Sequence, residues 1–171
     1  SVIISDCIIQ GNTSSIGGGV FFHDVQDSEI INTDIINNTA LLTESGAGGG
    51  GIALSASHID LINCNISHNT TYWAGGGLVL QNGSHVDLEY SLVSYNESNY
   101  GGGIALFGTN IDIDYSTIYG NTNGGGVYSD LGNANITNSI LWNNTNNNSY
   151  MQLNSTTMIV SYSNIQGGWD G

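Results

Sequence analysis

Short runs of alternating apolar and polar residues recur along the chain. One copy of the pattern, residues 101–121, reads GGGIALFGTNIDIDYSTIYGN. Its apolar side chains stand two positions apart, which indicates β-strands with one buried face. The apolar residue after the glycines returns at spacings of 32, 26, 26 and 23 residues, as Val20, Ile52, Leu78, Ile104 and Val127. A period of this size predicts a stack of repeated units.

Each copy ends on an asparagine, called here the closing asparagine. The closing asparagines are Asn12, Asn38, Asn69, Asn96, Asn121 and Asn144. The residue three before each is branched and apolar: Ile9, Ile35, Ile66, Val93, Ile118 and Leu141. The residue five before each is small: Cys7, Thr33, Cys64, Ser91, Ser116 and Ser139. A further copy, without the glycines, fits at Met151, Leu153, Met158, Val160, Ser163, Ile165 and Gly168. Residues that share a position in successive copies are called a column below.

These columns predict a parallel β-solenoid with three short strands in each coil. Stacking at about 4.8 Å per coil would place the branched side chains inside and the small ones where the coil bends. The closing asparagines would form an interior ladder, in which each amide bonds its neighbours in adjacent coils. The glycines allow a tight bend or a close approach of two backbones. Insertions are predicted at residues 39–47 and 145–150.

The pairing of GGG-[I/V/L] with [I/V/L]-x-x-N resembles the GGAI and FxxN repeats of polymorphic outer-membrane proteins. It is also similar to right-handed parallel β-helix repeats in autotransporter passengers and adhesin-like surface proteins. The phenylalanine of FxxN is aliphatic in every copy here. The resemblance implies an all-β, right-handed parallel β-helix of the pectin-lyase-like kind with about seven coils, and the chirality of parallel crossovers favours the same hand.

We expect residues 1–171 to form a single β-helix domain, either as an excerpt from a longer solenoid or as a filament subunit with uncapped ends. A bare solenoid end is an open sheet edge, and the chain has no Lys or Pro to protect one. Filament subunits would pair their strands head to tail. The expected partners are therefore copies of the same chain, or adjoining repeats of a longer chain.

Composition narrows the function classes. The 171 residues include no Lys or Arg and 14 acidic residues, for a formal charge of −14. Without cationic side chains the chain cannot neutralise phosphates, which excludes nucleic-acid binding by that route and disfavours anchoring on anionic lipid. No apolar run approaches the roughly 18 residues of a membrane span, so no membrane insertion is predicted.

The two cysteines share the column of small residues. Cys7 and Cys64 lie two coils apart, a separation of about 9–10 Å that exceeds the reach of a disulfide bond. Both are therefore predicted to be free, buried thiols that act as small apolar residues.

Sequons of the form N-x-[S/T] occur at ten asparagines, and such sequons accept N-linked glycans. Those in the closing column, at Asn12, Asn69 and Asn96, should point inward and stay unmodified. The preferred acceptors face outward or lie in turns and loops: Asn37, Asn65, Asn82, Asn135, Asn143, Asn147 and Asn154. The alternative is that Asn, Ser and Thr serve only as turn residues of the solenoid.

An outward acidic column supplies the main candidate for ion binding. Asp87, Glu89, Asp112 and Asp114 should form a patch of four carboxylates across two adjacent coils. Like charges in direct register are destabilising. Calcium, which takes carboxylate oxygens as ligands, would offset the repulsion and is the expected ion. The alternative is a solvated acidic face.

Two further columns carry candidate chemistry. His58 and His85 should be neighbours on adjacent coils, which suits either a weak metal site or an exposed turn. Tyr90, Tyr115 and Tyr162 share an outward position beside the small inward residues. Their rings could stack on sugars or cover the edge of the coil.

The leading functional hypothesis is structural: a glycosylated extracellular rod, either a fibre subunit or a stalk segment of a surface adhesin. A module that binds carbohydrate or a host surface is the second hypothesis, and neither requires a cofactor. The third is a neutral-glycan hydrolase, because glycoside hydrolysis needs two carboxylates about 5–9 Å apart. Pectin-degrading relatives of the fold use Lys or Arg, which this chain lacks, so that activity does not carry over and no catalytic residue is assigned.

Overall fold

The computed structural model describes residues 1–41, 48–146, 149–150, 153–154 and 157–166. These residues form twenty-seven strands, numbered β1 to β27 in chain order. None of the described residues belongs to a helix long and apolar enough to cross a membrane.

Four parallel sheets, called A to D, run along the stack. Sheet A contains β1 (Ile3–Ser5), β5 (Ser28–Ile31), β9 (His58–Ile62), β13 (His85–Glu89), β17 (Asn110–Asp114), β21 (Asn133–Thr137) and β26 (Thr157–Ser161). Sheet B contains β2 (Ile8–Gln10), β6 (Asp34–Ile36), β10 (Asn65–Ser67), β14 (Leu92–Ser94), β18 (Thr117–Tyr119), β22 (Ile140–Trp142) and β27 (Asn164–Ile165). Sheet C contains β3 (Thr13–Ser14), β7 (Thr39–Ala40), β11 (Thr70–Thr71), β15 (Glu97–Ser98) and β19 (Thr122–Asn123). Sheet D contains β4 (Val20–His23), β8 (Ile52–Ser55), β12 (Leu78–Gln81), β16 (Ile104–Phe107), β20 (Val127–Asp130) and β25 (Leu153–Asn154).

The predicted parallel β-solenoid is confirmed, because every pairing in these sheets joins equivalent positions of neighbouring coils. The structure adds a fourth strand of two residues, in sheet C, to the three predicted for each coil. The chain stays extended after the closing asparagine, so the next residue pairs with its equivalent: the amide of Thr70 donates to the carbonyl of Asn38 at 2.9 Å. Parallel stacking makes a ladder even from two extended residues.

The predicted insertions are only partly described. The first two residues of the first predicted insertion form β7, which belongs to the regular coil. Residues 42–47 of this insertion lie outside the described residues. In the second, β23 (Thr145–Asn146) and β24 (Ser149–Tyr150) pair antiparallel. Met151 and Gly168, predicted members of the final copy, also lie outside the described residues.

The interior is one continuous apolar cluster built from the predicted columns. Most of its members come from sheets A, B and D, and those on the central strands are at most 1% exposed. The column three before the closing asparagine is buried at Ile35, Ile66, Val93, Ile118 and Leu141. The column eight before it is buried at Ile30, Leu61, Leu88, Ile113 and Ile136. Each residue thus packs on its equivalent in the next coil, which is the stabilising contact of a solenoid.

The closing asparagines form a ladder of hydrogen bonds along this interior. The Oδ1 atom of Asn96 accepts from the backbone amide and the Nδ2 of Asn69, at 2.9 and 3.1 Å. The Nδ2 atom of Asn96 donates to the carbonyl of Ile66 at 2.9 Å and to Oδ1 of Asn121 at 3.0 Å. The same side-chain link joins every step from Asn12 to Asn144. Both donor hydrogens and both acceptor sites of the buried Asn96 side-chain amide therefore have hydrogen-bond partners.

The column of small residues forms a second polar ladder. The backbone amides of Cys64, Ser91 and Ser116 each donate to the hydroxyl of the next coil, at 2.9 to 3.0 Å. Each hydroxyl in turn donates to a carbonyl two residues earlier, as Ser91 does to Glu89 at 2.7 Å. A small side chain with a hydroxyl therefore bonds the backbone where sheet A turns into sheet B.

Both cysteines are free, but only one is buried. Burial raises the pKa of the Cys64 thiol, so it acts as a neutral small residue. The prediction that Cys7 is buried is wrong: it is exposed, because among the described residues only the coil that carries Thr33 packs against its coil.

The corners of the coil use the left-handed backbone conformation. The residue between sheets A and B has a positive φ in every coil: Asp6, Asn32, Asn63, Tyr90, Tyr115, Asn138 and Tyr162. The residue before the closing asparagine does the same: Gly11, Asn37, His68, Tyr95, Gly120 and Asn143. Asn, Asp and Gly tolerate this region, which accounts for most of both columns, whereas tyrosine does not favour it.

The last glycine of each run fits against the asparagine ladder. A methyl group at Gly77 would lie 2.7 Å from the carbonyl oxygen of Gly103 and 3.0 Å from Nδ2 of Asn96. Since carbon and oxygen atoms do not approach that closely, only glycine fits there. The glycine column and the closing asparagines are therefore two halves of one contact.

Replacing Asn96 with alanine should destabilise the fold by about 3–5 kcal/mol, because several buried donors and acceptors lose their partner at once. Chemical denaturation monitored by circular dichroism measures the change. Asn99→Ala is the matched control, since Asn99 is exposed in the same coil, and it should change stability by less than about 0.5 kcal/mol. Equal losses in the two variants would contradict the role given to the ladder.

Candidate functional site

The outer face of sheet A carries the acidic column in direct register. Asp87 pairs with Asp60 on one side and with Asp112 on the other. Glu89 pairs with Asp114 two residues further along the same two strands. The four carboxylates named from the sequence therefore lie on the adjacent strands β13 and β17. Calcium binding by these four residues stays a prediction.

Asp114 is satisfied by neutral donors. Its Oδ1 accepts from the hydroxyl of Thr137 at 2.7 Å, from Nδ2 of Asn138 at 2.8 Å and from the backbone amide of Tyr115 at 3.1 Å. These bonds favour the charged form, so the pKa of Asp114 is lowered, chiefly by Asn138 and then by Thr137. The Asp114 carboxylate is thus tied to the following coil.

Asp87 and Asp112 instead contact two histidines. His58 and His85 are paired across β9 and β13, with ring centroids 4.9 Å apart in an edge-to-face arrangement. Nε2 of His58 lies 3.4 Å from Oδ2 of Asp87, and Nε2 of His85 lies 3.3 Å from Oδ1 of Asp87. Nε2 of His85 is also 3.4 Å from Oδ2 of Asp112, and Nε2 of His58 is 4.0 Å from Oδ1 of Asp60.

The five side chains alternate along the stack as Asp60, His58, Asp87, His85 and Asp112, and are called here the His–Asp ladder. All are partly exposed, from 30% for His85 to 49% for Asp112. The ligand atoms of His58, His85 and Asp87 all lie within 4.8 Å of one another. These three side chains could hold a metal ion, and an ion could reach them from solvent because all three are partly exposed.

A groove of about 540 Å³ crosses the corner between sheets A and B. Tyr90 and Tyr115 stack along it with centroids 5.3 Å apart and planes 6° from parallel, and both are more than half exposed. In the same groove, Nδ2 of Asn65 donates to Oδ1 of Asp34 at 3.2 Å. Oδ1 of Asn65 is buried and finds no hydrogen-bond partner among the described residues. The groove therefore offers an aromatic face beside amide and carboxylate groups.

The proposed glycan acceptors differ in accessibility. Asn37, Asn82 and Asn135 are exposed, and Asn65 and Asn143 are half-buried. Of the sequons expected to stay unmodified, Asn69 and Asn96 are fully buried, whereas Asn12 is exposed and donates its amide to Asn38. Asn147 and the side chain of Asn154 lie outside the described residues.

Two features of these sites are absent from the predictions made from the sequence. The histidine and aspartate columns lie two positions apart on each strand and therefore on the same face, so their spacing is a signal for the His–Asp ladder. The positive φ of Tyr90 and Tyr115 could have been inferred from Asn32, Asn63 and Asn138, which occupy the same column.

Comparisons with known proteins bear on the fold. The family model described as "Right handed beta helix region" matches residues 50–170. Searches of curated proteins and of solved structures gave no significant match. Right-handed β-helices include enzymes and non-enzymes, so the fold does not decide between these classes.

Asn138→Gly should raise the pKa of Asp114 towards its ordinary value, because the strongest donor to the carboxylate is lost while glycine keeps the positive φ. Since the folded-state pKa is depressed, the stabilisation exists above about pH 4 and is lost as the pH falls through the folded-state value. The stability difference between variant and wild type should shrink over that range. Carboxyl NMR titration measures the pKa directly. Asn63→Gly, in the same column, is the control, and an unchanged Asp114 pKa in Asn138→Gly would contradict the assignment.

Proposed function

Since this chain belongs to the right-handed β-helix family, we propose that it acts as a structural, glycosylated rod outside the cell. The rod would be a fibre subunit that joins copies of itself end to end, or a stalk segment built from adjoining repeats of a surface adhesin. The similarity of its glycine and asparagine repeats to those of polymorphic outer-membrane and autotransporter proteins supports the surface location.

The observation that carries this proposal is the unbroken asparagine ladder from Asn12 to Asn144. Each coil adds the same hydrogen-bonding groups and the same apolar side chains to the stack. Bending such a stack would lengthen hydrogen bonds in the four sheets and in the asparagine ladder together. A further coil could pair in the same register, whether it came from the same chain or from another copy.

The composition of the chain fits a protein that is exposed to water and to proteases. The chain has no Lys or Arg, so trypsin has no cleavage site, and its 14 acidic residues give a hydrated surface. Glycans on the exposed residues Asn37, Asn82 and Asn135 would extend this coat.

Material purified from the natural source should be heavier than its polypeptide by the mass of N-glycans. Mapping of non-tryptic peptides should find the sugar on Asn37, Asn82 or Asn135, because the buried amides of Asn69 and Asn96 cannot be reached. Electron micrographs of the same material should show filaments or stalks of constant width. A mass equal to that of the polypeptide alone would contradict the proposed glycosylation. Micrographs that show only compact, isolated particles would contradict the proposed rod.

A second candidate function is carbohydrate binding in the groove of Tyr90 and Tyr115. A non-glycine residue in the left-handed region costs of order 1–3 kcal/mol unless it is Asn or Asp, which tolerate it better. The same corner is occupied by Asn in three other coils. Two stacked rings kept at a strained position suggest that the aromatic face itself is needed, and such faces stack on sugar rings.

Tyr90→Asn and Tyr115→Asn should each weaken binding to the best neutral glycan found on an array by about two- to tenfold, since one aromatic contact contributes roughly 0.5–1.5 kcal/mol. Folding should be unaffected or improved, because Asn accepts the positive φ. Tyr162→Asn, in the same column and 91% exposed, is the matched control. Glycan binding that is equal in all three variants would remove this groove as the site.

A further inference from the structure

We propose that His58, His85 and Asp87 bind a divalent transition-metal ion of the zinc class on the outer face of sheet A. Both imidazole Nε2 atoms face one carboxylate, at 3.4 and 3.3 Å. Metal–ligand bonds of about 2.0–2.1 Å at tetrahedral angles hold neighbouring ligand atoms about 3.3–3.4 Å apart. Each imidazole nitrogen therefore lies at the tetrahedral ligand spacing from one oxygen of Asp87, His58 from Oδ2 and His85 from Oδ1. One ligand atom from each of the three side chains lies within 4.8 Å of the other two.

The charge around the site favours a cation. Asp60, Asp87 and Asp112 stand in direct register on three adjacent strands. Like charges at such positions repel one another, and the chain contains no Lys or Arg to separate them. An ion between His58, His85 and Asp87 would sit next to all three carboxylates and relieve the repulsion.

The ligand types select the ion. Calcium takes six to eight oxygen ligands, whereas imidazole nitrogen with carboxylate is typical of zinc and neighbouring transition metals. Asp112 can supply a fourth ligand, because its Oδ2 lies 3.4 Å from Nε2 of His85. The carboxylates of Glu89 and Asp114 are not needed, and Asp114 already accepts from Thr137 and Asn138.

The site would join two coils. His58 lies on β9, while His85 and Asp87 lie on β13, and both strands are held by the ladders of sheet A. The ligands are thus positioned before the ion arrives. An ion that binds only the folded chain stabilises it by mass action, so zinc at about 100 times its dissociation constant should raise the melting temperature by about 5–10 °C.

Calorimetric titration of the whole chain with zinc sulfate tests the proposal. We expect one zinc ion per chain, with affinity reduced at least tenfold by His58→Gln or His85→Gln. His23→Gln is the matched control and should bind as the wild type does, because His23 lies on β4 in sheet D. Glu89→Gln should also leave zinc affinity unchanged, which separates this site from the predicted calcium patch.

A second measurement needs no substitution. The chain has four histidines, so NMR of their ring signals in the wild-type chain can follow each one during the titration. The signals of His58 and His85 should shift together with added zinc, and those of His23 and His68 should stay in place. Absence of zinc binding, or zinc affinity unaffected by His85→Gln, would overturn the proposal.

Discussion

One buried asparagine side chain in each coil sets the conditions that the other residues must meet. Its four hydrogen bonds reach the coil before and the coil after, so an asparagine out of register would leave buried donors and acceptors unpaired. The glycine opposite must lack a side chain for the amide to fit, as Gly77 does beside Asn96. The apolar column three residues earlier then has only one way to face the interior. The ladder therefore fixes the register in which successive coils pair, which no single apolar contact does.

Fixed register also determines what the outer surface can do. A position on the outer face of one coil lies against the same position of the next, so chemistry arises from columns rather than from local motifs. The His–Asp ladder is such a case, because its members come from the three strands β9, β13 and β17 and none is adjacent to another in sequence. The stacked pair Tyr90 and Tyr115 arises in the same way, at a corner whose conformation suits asparagine better. The rod and its sites are therefore consequences of the same repeat.

The interior could be predicted from the sequence because its columns obey simple rules of size and polarity. Ile66 and Val93, for example, are buried where alternation places them. The fourth strand of the coil could not, since two residues such as Thr70 and Thr71 carry no periodic pattern. The exposure of Cys7 depends on which coils pack against its own in the described structure, and membership of a column does not contain that information. The shared face of the histidine and aspartate columns follows from their spacing, but the distance between His85 and Asp112 depends on side-chain length and direction, which the sequence pattern does not contain.

Native-state hydrogen exchange of the asparagine side-chain amides tests the role of the ladder most directly. If the ladder holds the coils in register, the Nδ2 protons of Asn69, Asn96 and Asn121 should exchange only through opening of the whole stack, with protection close to the global stability. The exposed amide of Asn99 should exchange at the rate of a free side chain. Rapid exchange of the ladder amides in a chain that remains folded would contradict the account.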